Sequence, residues 1–150
     1  MAQKVTVQIS GTQKPVSEAG EAEEHTRQIW PGVYSFQNGK HFVLYEEDDG
    51  EGNRTRSTIK ADRNGFEVIK RGAVRTCLIF RTGGEHVCRY ETPFGPLPMK
   101  LKTQTVEVEL PEDTDKASGP LCLSLTACYV LEWDKEPAAF CRVCIRVCEA

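Results

Sequence analysis

The chain has 150 residues, with 19 basic and 22 acidic side chains that give a net charge of −3. This charge excludes the uniformly basic surface of a general nucleic-acid binder, so nucleic acid is not an expected partner. Hydrophobic residues make up 39% of the chain, and 12 glycines and 8 prolines are too few for a disordered or collagen-like protein. We therefore expect one folded domain over residues 1–150.

Apolar and polar residues alternate with a period of two along most of the chain, which is typical of half-buried strands. In chain order, the predicted strands cover residues 5–9, 33–36, 41–46, 55–60, 66–70, 74–80, 87–90, 96–110, 121–131 and 140–147. Three dipeptides between successive strands predict hairpins. They are Asn38 with Gly39, Asn64 with Gly65, and Gly83 with Gly84.

Polar and breaker-rich segments separate the other strands. Residues 11–24 and 111–120 are predicted to be loops, and the acidic run at 46–53 is predicted to be an exposed hairpin tip. Pro31 and Gly32 are predicted to interrupt a strand.

One predicted strand changes its apolar phase. Its apolar residues are first odd-numbered and then even-numbered: Leu97, Met99 and Leu101, followed by Val106, Val108 and Leu110. A regular strand cannot place both sets in one core. We therefore predict a continuous strand over 96–110 with a β-bulge between Thr103 and Thr105.

About ten short strands joined mostly by tight turns predict an all-β fold, a single antiparallel up-and-down β-barrel of about 8–10 strands. A closed or nearly closed barrel leaves few exposed sheet edges, and a β-sandwich is the alternative fold. The residues expected to be largely buried are Phe80, Met99, Leu123, Leu125, Tyr129, Val143 and Ile145.

The chain has seven cysteines, no secretory signal pattern and no long apolar run. These features predict a cytoplasmic protein with reduced thiols and no membrane association. Cys141, Cys144 and Cys148 have spacings seen in metal and redox sites. They lie on an alternating strand that holds residues three apart at roughly 10 Å, too far apart to share a metal. We interpret them as structural thiols and expect neither a metal nor a cofactor, with metal or redox use as the alternative.

Residues 66–106 resemble the signature region of the YwiB-like family, small bacterial proteins with a calycin-type, lipocalin-like β-barrel. The positions that carry the resemblance are Gly32, Val33, Tyr34, Tyr45, Glu46, Glu47, Arg71, Gly72, Tyr90, Thr92, Pro93, Gly95, Met99, Thr103, Leu123 and Leu125. One position differs, because Lys70 stands where the family pattern has an arginine. The resemblance implies the barrel and, by analogy with ligand-holding barrels, a binding function.

Basic and aromatic residues recur on the central strands. Side chains that face inward would give the barrel a cationic interior suited to a carboxylate or phosphate, whereas outward-facing ones would form a solvated surface. The candidate ligand contacts are Tyr45, Lys70, Arg71, Arg89 and Tyr90.

No catalytic motif occurs in the sequence, and no catalytic residue is predicted. The function expected from these features is non-catalytic binding of a small amphipathic or anionic molecule at the open end of the barrel. The alternative is a structural or interaction module with a side-chain-filled interior that works through its outer surface or as a homodimer.

Overall fold

The structure is a computed structural model that describes residues 2–15, 23–72, 75–92, 95–111, 121–133 and 136–150, with the backbone alone for 90–92, 96 and 97. These residues include ten strands: β1 (Gln3–Pro15), β2 (Glu24–Gln37), β3 (Lys40–Asp48), β4 (Arg54–Asp62), β5 (Gly65–Gly72), β6 (Thr76–Arg81), β7 (Glu85–Thr92), β8 (Gly95–Glu109), β9 (Cys122–Trp133) and β10 (Glu136–Glu149). The described residues contain no helix that is long and apolar enough to cross a membrane.

The ten strands form one antiparallel sheet in the order β6-β5-β4-β3-β2-β1-β10-β9-β8-β7. Every neighbour is consecutive in the chain except β1 and β10, which pair with each other. The sheet curls until its edges, β6 and β7, meet at a seam where the Nε2 atom of His86 lies 2.9 Å from the carbonyl oxygen of Cys77. The predicted all-β fold is therefore confirmed as a nearly closed barrel.

The seam differs from the sequence prediction. Gly83 and Gly84 were expected to form a hairpin between β6 and β7, but the described residues of these strands share no backbone ladder. Instead, both glycines extend the β7–β8 pairing, because Gly83 N donates to Thr103 O at 3.2 Å and Thr103 N donates to Gly84 O at 3.0 Å.

The predicted bulge is present in β8. Thr103 lies opposite Tyr129 and Thr105 lies opposite Cys128, so Gln104 is the extra residue. Leu101 is buried, and the apolar residues on both sides of the bulge face the same core: Met99, Val106, Val108 and Leu110. The bulge thus keeps the whole strand amphipathic while the strand bends around the barrel. All strands belong to one sheet, so the sandwich alternative is excluded for the described residues.

The interior is filled mainly by apolar side chains from all around the sheet. Phe80, Leu123, Leu125 and Ile145 are buried as expected, whereas Tyr129, Val143 and Met99 are partly buried against this core.

Two strands extend beyond their predicted ends. β1 continues to Pro15 because it pairs with both β2 and β10, and β2 continues through Pro31 and Gly32 because it keeps pairing with β1. The prediction that Pro31 and Gly32 interrupt a strand was wrong. Proline is tolerated because, among the described residues, the part of β2 before Gly32 pairs with β1 alone. A Cβ on Gly32 would lie 2.9 Å from Leu44 O, so only glycine fits there.

Candidate ligand site

A polar row crosses the inner face near one end of the barrel. The pairing register places Gly32, Tyr45, Ser57, Lys70 and Thr76 directly opposite one another on β2 to β6. The next inward positions along the strands are apolar and buried: Tyr34, Val43, Ile59 and Val68. This end of the interior therefore changes from apolar to polar within one step along each strand.

An ion pair sits beside this row. The Lys70 ammonium lies 2.9 Å from Glu47 Oε2 and 3.3 Å from Glu47 Oε1, and the Ser57 hydroxyl donates to Glu47 Oε2 at 2.9 Å. Only 24% of the Lys70 side chain and 15% of the Glu47 side chain are exposed. The positive charge of Lys70 is thus largely neutralised within the protein.

Tyr45 is buried, with 4% of its surface exposed, and its hydroxyl has no hydrogen bond of acceptable geometry within the described part of the chain. Burial raises the pKa of Tyr45, the negative charge of Glu47 raises it further, and the nearby Ser57 hydroxyl opposes the shift. Tyr45 therefore remains a neutral phenol. A buried hydroxyl without a partner is uncommon, because losing its hydrogen bonds to water costs about 1–3 kcal/mol.

Tyr45 lies at the point where β2 and β3 separate. Their pairing ends at Gly32 and Tyr45, after which β2 continues along β1 while residues 46–48 continue along β4. The divergence leaves a cavity of about 990 Å³, which we call the notch, and both Tyr45 and Ser57 line it.

The notch is apolar in its walls and charged at its rim. Its apolar side chains include Trp30, Val33 and Leu44, of which Val33 and Leu44 are exposed. Its charged side chains are Lys4, Glu46, Asp48, Arg54 and Arg56. Arg56 Nε and Glu46 Oε1 are 3.5 Å apart, so the rim carries both signs of charge.

Of the predicted ligand contacts, the structure brings Tyr45 and Lys70 onto the same row. Arg71 is exposed on the face of β5 opposite to Lys70, and Arg89 is exposed next to the buried Cys88. Tyr90 belongs to β7, and its side chain lies outside the described residues.

The outward arginines line two hollows near the start of β6. Arg71, Lys70 and Arg75 line a hollow of about 600 Å³. Arg89 and Arg75 line a neighbouring hollow of about 380 Å³ at the seam. Thr76 lines both, and its buried hydroxyl has no hydrogen-bond partner in the part of the chain that is described.

Sequence reasoning missed Glu47, Ser57 and Trp30. Glu47 could have been found, because it lies two residues after Tyr45 and must share its face in a regular strand. Ser57 follows from the β3–β4 register, which depends on the length of the acidic turn. No local signal marks Trp30, because its position in the notch depends on where β3 leaves β2.

The family model described as a domain of unknown function (DUF1934) matches residues 7–145. The uncharacterized beta-barrel protein YwiB of Bacillus subtilis (strain 168) is 26% identical over 87 residues, which are 58% of this chain and 61% of that protein. The match thus spans less than two thirds of the relative's length.

The crystal structure of the ywiB protein from Bacillus subtilis is similar in fold. It superposes with a TM-score of 0.79 at 17% identity, over 99% of this chain and 93% of that chain. At this level of identity the similarity shows a shared barrel fold and nothing about ligands.

Proposed function

The chain belongs to the YwiB-like β-barrel family, whose model is described as a domain of unknown function (DUF1934), and we propose that it is a non-catalytic binder of a small amphipathic molecule. The notch between β2 and β3 is the proposed site. The observation that carries the proposal is the buried Tyr45 hydroxyl, which lines an open cavity and makes no hydrogen bond of acceptable geometry among the described residues, although the Ser57 hydroxyl lies near it. A ligand group that accepts a hydrogen bond from the Tyr45 hydroxyl would remove the cost of burying that hydroxyl.

The lining of the notch favours an amphipathic ligand over a plain ion. Trp30, Val33 and Leu44 offer apolar contact, and their burial by a ligand would contribute roughly 25 cal/mol per Å² of apolar surface. Tyr45 remains a hydrogen-bond donor at ordinary pH, so the polar end of the ligand should carry an acceptor such as a carbonyl or hydroxyl oxygen. Cavities of roughly 300–1,000 Å³ accommodate small organic molecules.

Fluorescence can test this proposal directly, because the chain has two tryptophans and one of them, Trp30, lines the notch. In a Trp133→Phe background, Trp30 is the remaining tryptophan. Titration with the neutral probe N-phenyl-1-naphthylamine should quench Trp30 and enhance the probe emission in a saturable manner. Tyr45→Phe should keep the fold and weaken binding of oxygen-bearing amphiphiles such as 1-naphthol by roughly threefold to tenfold, the effect of one lost hydrogen bond.

Two variants make the test specific. Leu44→Asp places a charge in the notch and should abolish saturable quenching, whereas Val87→Asp places one at an equally exposed position on β7 and should not. Equal binding by wild type and Leu44→Asp, or the absence of saturable binding by any amphiphile, would contradict the proposal.

A second candidate is an anionic ligand near the start of β6. The observation that favours it is that Arg71, Arg75 and Arg89 line the two hollows that share Thr76, whose buried hydroxyl has no hydrogen-bond partner among the described residues. Titration with inorganic phosphate and citrate, followed by the chemical shifts of Thr76 and Cys77, tests this site. Arg75→Glu should remove the shifts, and Arg56→Glu, which changes a notch residue, should leave them unchanged.

The third reading is a structural or interaction module without a ligand. It is favoured by the interior itself, where buried side chains of every strand form one apolar cluster. The two titrations separate it from the binding proposals, because such a module would respond to neither probe.

A further inference from the structure

Two cysteines that are distant in the chain lie side by side on the outer surface. Cys122 near the start of β9 pairs with Cys148 near the end of β10. The Glu149 amide donates to Leu121 O at 3.1 Å, so the adjacent pair, Cys122 and Cys148, is a non-hydrogen-bonded pair of the antiparallel ladder. Such pairs have their Cα atoms about 4.5 Å apart, within the range that a disulfide can bridge.

The thiol groups of these two residues are in contact. The sulfur atoms of Cys122 and Cys148 are 2.8 Å apart. Arg146 lies on the same outer face of β10, two residues before Cys148, and its positive charge interacts with both thiols. Cys122 is exposed and Cys148 is partly buried, so a dissolved reactant can reach the pair.

From this geometry we propose that Cys122 and Cys148 form a redox-active dithiol, which a low-molecular-weight disulfide such as oxidised glutathione converts reversibly into a cross-strand disulfide. Arg146 stabilises the attacking thiolate by its positive charge. The same charge next to the sulfurs disfavours a metal cation at this place, and no group of three or more metal-ligating side chains occurs in the described part of the chain.

The arrangement assigns a role to each thiol. Burial, followed by the neighbouring Cys122, raises the pKa of Cys148, and Arg146 lowers it only in part. Cys148 is also the less exposed of the two thiols, so a dissolved disulfide meets Cys122 first, and Cys122 is the attacking sulfur. The partly buried Cys148 then acts as the resolving thiol.

The reaction balances in two exchange steps. The Cys122 thiolate attacks one sulfur of oxidised glutathione, the glutathione S–S bond breaks, and one glutathione thiolate leaves with the electron pair. Cys148 loses its proton to solvent and attacks the Cys122 sulfur of the mixed disulfide, which releases the second glutathione thiolate. Two protein thiols are oxidised, and one oxidised glutathione is reduced to two glutathione molecules.

The experiment exposes the reduced wild-type chain to oxidised glutathione, traps the remaining thiols by alkylation and measures the intact mass. We expect two of the seven cysteines to escape alkylation without a retained glutathione, and peptide mapping to find the Cys122 to Cys148 crosslink. Excess dithiothreitol should restore all seven thiols. Cys148→Ser should stop after the first step and retain one glutathione on Cys122.

Cys144→Ser is the matched control. Cys144 lies on the same outer face of β10, but it is opposite Thr126 and Ser10, so this variant should form the disulfide like wild type.

Arg146→Gln should slow the reaction at neutral pH by roughly threefold to tenfold, the effect of removing a neighbouring cation from a thiolate. Retention of glutathione on Cys122 in wild type as in Cys148→Ser, or a crosslink between other cysteines, would overturn the proposal.

Discussion

The ammonium of Lys70 and the carboxylate of Glu47 form a 2.9 Å ion pair on the inner face of the barrel. Both side chains are more than three quarters buried, so the pair is screened less than a surface pair. A cationic interior was one expectation from the basic residues, and at this position the inward cation already has its counter-charge. Other basic side chains, such as Arg56 and Arg71, are exposed on the outer surface. An anionic ligand would therefore meet arginines at the barrel rim rather than a free lysine inside.

The first prediction concerns this pair. Glu47→Gln should lower the free energy of unfolding by about 1–3 kcal/mol, because it leaves the Lys70 charge partly buried without a partner. Lys70→Met combined with Glu47→Gln should cost less than the sum of the two single changes, since the double variant removes the uncompensated charge. Urea unfolding of the three variants measures this coupling, and additive losses would show that the pair contributes nothing.

The second prediction concerns the core. Leu125 is fully buried, with 0% of its surface exposed, and Leu125→Ala should cost about 2–5 kcal/mol as a packed leucine does. Val87, at 60% exposure, provides the control, and Val87→Ala should change stability by less than about 0.5 kcal/mol. Guanidinium unfolding of both variants compares them, and equal losses would contradict the assigned faces.

The third prediction concerns the bulge in β8. Deleting Gln104 would place Thr105 directly after Thr103, so the strand would alternate regularly and Val106 and Val108 would keep their inward positions and their partners on β9. We expect this deletion variant to fold with a loss of about 1–3 kcal/mol, because only the local bend is removed. Deleting Glu107, which lies outside the bulge, would turn Val108 and Leu110 outward and should cost more than about 3 kcal/mol or prevent folding. Gln104→Ala keeps the residue count at an exposed position and should change stability by less than about 0.5 kcal/mol. Thermal unfolding compares the variants, and a Gln104 deletion as damaging as the Glu107 deletion would argue against the bulge.

Sequence patterns predicted the parts of the fold that follow from local alternation. The switch from odd to even apolar residues around Gln104 located the bulge, because side chains alternate strictly along a strand. The bulge in β10 had no such signal: the pairing of Pro137 with Glu132 and of Ala139 with Leu131 leaves Ala138 unpaired. In a regular ladder Ala138 would pair with Leu131 and Cys148 would lie opposite Leu121, so the dithiol depends on a bulge that no sequence pattern predicts.

The candidate site was predictable only in part. Tyr45 and Lys70 were chosen by their positions in the strand pattern, but the same choice included Arg71, which is exposed on the outer face of β5. The notch was not, because it depends on β3 leaving β2 after Tyr45 while Pro31 still pairs with Thr6 of β1. The point at which two strands separate depends on pairing across the whole sheet. It leaves the alternation of apolar and polar residues within each strand unchanged.

The fourth prediction concerns the seam between β6 and β7. The ring of His86 contacts the carbonyl oxygen of Cys77 at 2.9 Å, where the described residues of the two strands share no backbone ladder. His86→Ala should lower the global stability by only about 1 kcal/mol but accelerate amide hydrogen exchange in β6 and β7. His25→Ala changes an exposed residue of β2 and should leave the exchange at the seam unchanged. Unaltered exchange at the seam in His86→Ala would show that the contact does not hold the barrel closed.

The fifth prediction concerns stability at high pH. Burial raises the pKa of Cys141 from 9.0 to about 11, and the hydrogen bond with Tyr129 opposes the shift. Between pH 9 and pH 11 the unfolded chain loses this proton while the folded chain keeps it, so stability must fall as the pH rises. A shift of this size corresponds to about 3 kcal/mol in total, and below pH 9 that contribution is fully present.

Urea unfolding at several pH values isolates the contribution of Cys141. Cys141→Val keeps an apolar side chain of similar size and should make the fall between pH 9 and pH 11 shallower by about 3 kcal/mol. Some fall should remain, because burial also raises the pKa values of Cys88 and Tyr45. An equally steep fall in wild type and Cys141→Val would mean that the Cys141 thiol ionises as easily in the folded barrel as in the unfolded chain, and so that water reaches this position on the inner face of β10.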